Sequence, residues 1–301
     1  MTDAALERFE EHRSLLFAVA YRMLGSASDA EDVVQDAWLR YAGAQPADVR
    51  TPKAFLTTVV TRLCLDRLKS ARAAREEYIG PWLPEPVVTD DGRGPERSMA
   101  LAESVTLAFM VLLETLSPEE RAVFLLREVF EHDHADIAAM LDTTPANSRQ
   151  LFHRAKARIA EKRPRFRDAA AAKRPLVDRF VHALRDGDAE EFTSVLAADV
   201  GFWSDGGGKA LAAKRPVFGR DAVAHLLVGF RRSAPSAGVN LAHVSLDVAE
   251  VNGEPAMLMR VAGHLDSVYT FTFDDEAIAA IRVVRNPDKL QFIERQLTTL
   301  G

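Results

Sequence analysis

The sequence has a single cysteine, Cys64, and lacks any run approaching the roughly 20 apolar residues of a membrane span. One thiol closes no internal disulfide, and no Cys or His stands near it at zinc spacing, so Cys64 reads as a small apolar core residue and no metal is expected. The start, Met1 to Glu11, is acidic and helical in pattern, unlike the basic-then-apolar order of a secretion signal. A soluble cytoplasmic chain without membrane contact is the expectation. A positive net charge is also lacking: 38 Lys and Arg stand against 44 Asp and Glu, for a formal charge of -6. No internal repeat is visible. The run Gly206, Gly207, Gly208, Lys209 lacks the upstream glycine and the following hydroxyl residue of a phosphate-binding loop, and it reads as a flexible loop.

What is present divides unevenly. A length of 301 residues with 48% hydrophobic content suits two or three packed modules. Basic residues concentrate between Arg62 and Arg75 and again between Arg149 and Arg174, and local patches rather than overall charge decide phosphate binding. Acidic residues crowd Asp29, Glu31, Asp32 and Asp36, a pattern suited to a basic protein partner. Between Ile79 and Gly94 stand Pro81, Pro84, Pro86, Gly92 and Gly94, which forbid a regular helix. The basic run Lys162 to Arg174, interrupted by Pro164 and followed by Pro175, reads as a shorter joint. The boundaries follow as 1–75, a linker 76–95, 96–165, and 173–301.

Ser28 with Glu31 has the spacing of a capping box, and Ala30, Val33, Val34, Ala37, Trp38 and Tyr41 recur on one helical face. The opposite face carries Asp29, Asp32 and Asp36 with Gln35 beside them; alone, such a stripe reads as a solvated surface. A further helix opens at Thr51 and Pro52 and buries Phe55, Leu56, Val59, Val60, Leu63, Cys64 and Leu68, leaving Thr58, Thr61, Arg62, Lys69 and Arg72 on polar faces. Between Ser117 and Ile159 the spacing is that of a helix-turn-helix: a helix after Ser117 and Pro118, a short one after Asp133, a turn at Asp142 and Thr143, and a last helix from Thr144 and Pro145. Its exposed face presents Arg149, His153 and Lys156, flanked by Gln150 and Arg154, side chains that grip base edges and phosphates.

These residues resemble a family. Asp29 to Arg40 is similar to the region-two helix of extracytoplasmic-function sigma factors that docks on the polymerase clamp. Phe55 to Lys69 resembles the following helix, which reads the minus-ten element, and Ser117 to Ile159 resembles region four, which reads the minus-thirty-five element. The resemblance implies that Asp29, Asp32, Gln35 and Asp36 contact core RNA polymerase, that Arg62 and Lys69 contact minus-ten DNA, and that Arg149, Gln150, His153, Arg154 and Lys156 contact minus-thirty-five promoter DNA. Arg62 stands where many relatives have Asn, and Ser148 where an aliphatic residue is usual. Trp82-Leu-Pro84-Glu-Pro86, Asp205-Gly206-Gly207-Gly208-Lys209 and Asn286-Pro287-Asp288-Lys289-Leu290 resemble the SigJ-like group, whose sigma core carries a SnoaL-like extension. In that group the extension is implied to regulate the sigma core through intramolecular contact, in place of a membrane anti-sigma protein.

The fold class that follows is multidomain: two all-α sigma domains, the second a helix-turn-helix, and an α+β SnoaL-like cone. The cone is read from helices through Leu176 to Leu184, Phe192 to Leu196 and Asp221 to Arg231, and from strands near 200–203, 210–218, 239–251, 256–262, 267–273 and 277–284. Phe202, Trp203, Leu227, Phe230, Met257, Met259, Tyr269 and Phe271 line either a pocket, its ligand unknown, or a filled core. Two other readings stay open. The cone could be an enzyme using His225, His243 or His264 with Asp205 or Asp266, or the chain could be a ligand-responsive repressor, against which the clamp-type helix argues. The expectation is a non-catalytic transcription factor in which the Asp205 to Lys209 loop meets the sigma core or the proline-rich linker.

Overall fold

A computed structural model describes residues 3–44, 49, 51–89, 106–162, 170–274 and 277–300. They gather into two compact units, one formed by 3–77 with 106–162, the other by 78–89 with 170–300. The linker expected at 76–95 therefore divides. From Tyr78 to Thr89 it belongs with the C-terminal unit, and 90–95 lie outside the described residues.

In the first unit, α1 (Asp3–Leu24) ends where Gly25 takes a left-handed φ of 71° and its N–H reaches the Tyr21 carbonyl at 2.8 Å. The next residue is extended. Ser26 caps α2 (Ala27–Gly43) by accepting the Asp29 N–H at 3.1 Å, two residues ahead of the expected Ser28. The buried face of α2 is Ala27, Ala30, Val33, Val34, Ala37 and Tyr41. After Thr51, α3 (Pro52–Glu76) buries Leu56, Val60, Leu63, Cys64 and Leu68. Thr61, expected on a polar face, is buried, because α3 is packed by helices on several sides rather than along one stripe.

The unit continues through α4 (Leu107–Leu113) and α5 (Pro118–Phe124), the latter opened by a complete Ser117–Glu120 capping box and prolonged by one π-helical turn, Leu125–Val129. Asp133 caps α6 (His134–Leu141) through the N–H groups of Ala135 and Asp136, both at 2.8 Å. Asp142, at φ 52°, turns the chain into α7 (Pro145–Lys162). Val123, Leu126, Ile137 and Met140 form the cluster on which Leu151 and Phe152 rest.

The second unit orders as α8 (Ala170–Asp186), α9 (Ala189–Val195), β1 (Leu196–Asp205), β2 (Val217–Phe218), α10 (Arg220–Ser233), β3 (Val244–Val251), β4 (Glu254–Val261), β5 (His264–Asp274), β6 (Ala277–Val284) and α11 (Pro287–Leu300). One sheet runs β2-β1-β6-β5-β4-β3, with β1 and β6 parallel and every other pair antiparallel. Helices cover its concave side around Phe180, Phe192, Phe202, Leu227, Phe271 and Ile281, the α+β cone. The strand expected over 210–218 contracts to Val217–Phe218. Its first seven residues lack β-branched and aromatic side chains and follow a tight turn in which the Lys209 and Ala210 N–H groups bond the Gly206 carbonyl. Residues 241–243 form a 3-10 turn before β3, Lys173 to Pro175 lie inside α8 rather than in a joint, and α11 was not expected.

Candidate functional site

The acidic stripe on α2 has a counter-ion of its own. Arg67 of α3 reaches Asp29 at 3.3 Å, Asp32 at 3.6 Å and Asp36 at 3.4 Å, and also donates to the Asp29 carbonyl. The three carboxylates stay substantially exposed, as does Gln35, so one guanidinium leaves the stripe with an excess of negative charge facing water. In the sequence Arg67 is one member of the basic run from Arg62 to Arg75, and nothing local links it to carboxylates 31 to 38 residues away. Beneath it Cys64 is buried, and burial pushes its thiol pKa far up, leaving it a packed apolar residue.

The two proposed minus-ten residues are engaged inside the same unit. The Arg62 Nε donates to the Met140 carbonyl at 2.8 Å and its Nη2 to that of Ala139 at 3.3 Å, so the guanidinium caps the C-terminal end of α6. Lys69 pairs with Glu119 at 3.4 Å. Both contacts reach from α3 into the helix-turn-helix stretch.

On α7, Arg149, Gln150, His153, Arg154 and Lys156 are all exposed on the outer face of the helix. Lys156 pairs with Glu128 at 3.5 Å and lies over the Phe152 ring. Ser148 is buried, and its hydroxyl is hydrogen-bonded to the His134 Nδ1 at 2.9 Å, a polar tie between α6 and α7. Desolvation holds the His134 pKa below its ordinary value, helped by the nearby Arg127, Arg149 and His153. At neutral pH the tie is made by a neutral imidazole.

In the second unit the three motifs at Trp82, Asp205 and Asn286 come together. Asp205, at the end of β1, has a side chain 0% exposed. Its Oδ1 accepts from the Tyr78 hydroxyl at 2.5 Å; its Oδ2 accepts from the Leu83 N–H at 2.8 Å and from the Lys289 Nζ at 2.7 Å. Lys289 also donates to the Leu83 carbonyl at 2.5 Å and sits 4.0 Å from the Trp82 ring centroid. The Asn286 amide donates to the Tyr78 hydroxyl at 2.9 Å, and Lys209 pairs with Asp288. Burial and the Asp205 carboxylate drive the Tyr78 pKa upward, so the phenol stays a donor. The glycines permit this closeness: a Cβ on Gly207 would stand 2.2 Å from the Asn286 Nδ2, and one on Gly208 2.8 Å from the Ile79 Cδ1. The loop expected to be flexible is thus a tight contact surface. Leu290 is buried and Pro287 opens α11.

Beyond Pro84 and Pro86, which are buried, the segment adds to the free edge of the sheet. Val88 bridges Val251 in antiparallel fashion; the Val87 N–H bonds the Asn252 Oδ1 at 3.2 Å, the Asn252 N–H returns to the Val87 carbonyl at 2.9 Å, and Gln296 brackets Val88 from both sides. Thr89 closes the segment on Glu250 and the Gly253 N–H. Asn252, Gln296 and Glu250 carried no sequence signal, because their partners lie more than 160 residues away.

The residues weighed for catalysis do not converge. His225, His243 and His264 are exposed and none lines the cavity of the cone; Asp266 does, but Asp205 is committed to the linker. Of the expected lining, Phe202, Phe230, Met259 and Tyr269 face the cavity, Leu227, Met257 and Phe271 fill the core, and Trp203 stacks edge-on with Phe218. Among the described residues no helix is long and apolar enough to cross a membrane.

Comparison with known proteins bears on both units. Residues 8–74 match the model of sigma-70 region 2, and 106–159 that of sigma-70 region 4. The chain is 39% identical to the ECF RNA polymerase sigma factor SigJ of Mycobacterium tuberculosis, over 94% of its own length and 92% of that relative's. It is 30% identical to the probable ECF RNA polymerase sigma factor SigI of the same organism, over 98% of each. The crystal structure of M. tuberculosis SigJ superposes with a TM-score of 0.76 at 36% identity, covering 95% of this chain and 98% of that one. With both sigma regions in order and the cone matched as well, the chain belongs to the extracytoplasmic-function RNA polymerase sigma factors, subunits that bind core polymerase and direct it to promoters.

Proposed function

We propose that this sigma factor works in the cytoplasm under control in cis, its C-terminal unit acting not as an enzyme but as a holder of the linker between regions two and four. The observation that carries the reading is the clasp of Asp205, Lys289 and Asn286 around Tyr78 to Leu83, continued by the strand-like addition of Val87 to Thr89. A linker that must redirect region four relative to region two is here given a fixed path. The dispersal of the cone's histidines away from its cavity supports a non-catalytic role.

On this reading Asp29, Asp32, Gln35 and Asp36 meet a basic surface of core polymerase. Arg62 and Lys69 meet the minus-ten element once released from Met140 and Glu119, and the outer face of α7 meets the minus-thirty-five element. Run-off transcription with core polymerase, comparing the full chain with Asp205→Asn, tests the control. Because the Asn amide cannot accept from Lys289 and Tyr78 as the carboxylate does, the clasp equilibrium shifts and initiation changes several-fold. Equal initiation, with amide exchange in 78–89 demonstrably faster in the variant, would make the unit a passenger.

A further inference from the structure

The cone encloses a cavity of about 370 Å³ that neither the linker nor the sigma regions account for. Its walls are apolar: Leu184, Phe202, Phe230, Leu246, Met259 and Val283. Its polar groups are of one sign in excess. Arg185, Arg231 and Arg285 line it with a single carboxylate, Asp266, and only Arg285 is paired, to Asp266 at 2.8 and 3.2 Å. Arg185 and Arg231 have no ion pair among the described residues. Arg231 lies across Gly187, where an added Cβ would stand 2.8 Å from its Nη1, so the glycine leaves the room that its guanidinium occupies. Ser204, Ser233 and Tyr269 also line it.

We propose that this cavity is a binding site for a small, mainly apolar organic anion, and that its occupancy loosens the grip on the linker. Volume and wall chemistry suit one or two fused or linked rings, and two guanidinium groups without an ion pair, the exposed Arg185 and the half-buried Arg231, suit a carboxylate or sulfonate held with its apolar part inward. The coupling follows from neighbours in sequence. Ser204 lines the cavity while Asp205 holds the linker; Arg285 lines the cavity while Asn286 holds Tyr78. The Arg285 and Asn286 N–H groups both bond the Asp205 carbonyl, at 2.7 and 2.9 Å, tying the two pairs together. The Arg285 side chain further donates to the Leu211 carbonyl at 2.6 Å, anchoring the far end of the glycine loop that touches Tyr78 and Ile79. An anion that draws Arg285 inward takes it from Leu211 and slackens that loop, a differential interaction between two states of the clasp.

The coupling, though not the binding, rests on the linker-holding role proposed above, and the test separates them. The full chain is titrated with 8-anilinonaphthalene-1-sulfonate and with the uncharged N-phenyl-1-naphthylamine, followed by fluorescence. Saturable binding of the sulfonate is expected, weakened about tenfold by Arg231→Ala, with the uncharged probe little affected; Leu246→Trp, or the milder Met259→Phe, fills the space and removes the signal while the melting curve is kept. No saturable binding, or binding indifferent to all three variants, overturns the site. Hydrogen exchange of the amides in 78–89 reads the clasp: the sulfonate speeds it in the parent chain and not in Leu246→Trp. Unchanged exchange with the probe bound overturns the coupling. Asp205→Asn, measured without probe, reports on the clasp alone, so its failure to speed exchange counts against the linker reading and leaves the cavity's binding result standing.

Discussion

Asp205 and Lys289 form a pair removed from water, 0% and 9% exposed, that also hydrogen-bonds Tyr78 and the Leu83 backbone. Removing one partner of such a pair leaves the other charge buried, which costs about 3–5 kcal/mol, whereas removing both relieves much of it. Lys289→Met is therefore expected to lower the unfolding free energy of the C-terminal unit by that order, read from denaturant melts, and Lys289→Met with Asp205→Leu to recover a large part; additive losses in the double-mutant cycle would show that the two side chains act separately. Arg67 invites the opposite expectation. Its three carboxylate partners are exposed, so each contact is worth little to stability. Its loss uncovers negative charge on α2. Arg67→Ala should leave core polymerase pull-down intact or stronger, while Asp32→Lys with Asp36→Lys weakens it without unfolding; a fall with Arg67→Ala in a folded protein would reverse the assignment of the stripe.

The helix-turn-helix joins element to element through side chains that titrate. Desolvation lowers the pKa of both His132 and His134 from 6.5, so the folded state favours the neutral rings against the unfolded chain. The stability this lends is present above the unfolded value and is lost as pH falls through the depressed folded values. Around His132 stand Asp136, Lys53 and Asp133, and around His134 Arg127, Arg149, His153 and Asp133. Protection of the amides in α6 and α7, the exchange rate taken relative to that of an unfolded chain at the same pH, should fall between pH 7 and 5, and His134→Gln, which can still bond Ser148, should flatten that dependence. On the outer face, Arg149→Ala or Arg154→Ala should cost about 1–3 kcal/mol of minus-thirty-five discrimination, read by competition binding of promoter variants, while Lys156→Ala acts evenly across sequences. These helices were legible in the sequence because capping residues and apolar spacing are local: Ser117 with Glu120, Asp133, and the Asp142 turn stand where spacing placed them. Less legible were the α2 cap, where Gly25 shifts the start to Ser26, and α11, whose opening Asn286 to Leu290 drew attention as a motif and not as a helix. Least legible was what binds across distance: Arg67 under the acidic stripe, Ser148 facing His134, and Asn252, Glu250 and Gln296 receiving the linker.

At the scale of the molecule the linker is a shared part, covalently between the two sigma regions and packed in the C-terminal unit. Leu83, Val87 and Val88 are buried there, and the backbone of 87–89 is paired to β3 and α11. A truncation before Pro175 therefore does two things together: it frees the linker from its path, and it strips the cover from three apolar side chains and several backbone groups, creating a sticky segment in place of a flexible one. Changes in transcription after truncation mix control with aggregation. Point changes inside the clasp do not. Asn286→Ala removes the bond to Tyr78 and the acceptor of the Asp288 N–H at the start of α11 while leaving the apolar contacts, and Gly207→Ala forces a Cβ into the space held by Asn286 at a φ of 57°, a backbone conformation that disfavours any side chain. If the clasp sets the balance between a held and a released linker, initiation from a cognate promoter should shift in the same direction for Asn286→Ala, Gly207→Ala and Asp205→Asn, and its size should rank with the acceleration of amide exchange in 78–89. The truncated chain should depart from that line, with light scattering rising with concentration. Initiation changes that follow no such rank, among variants whose C-terminal unit still melts cooperatively, would mean that the grip on the linker and the control of initiation are separate properties of the fold.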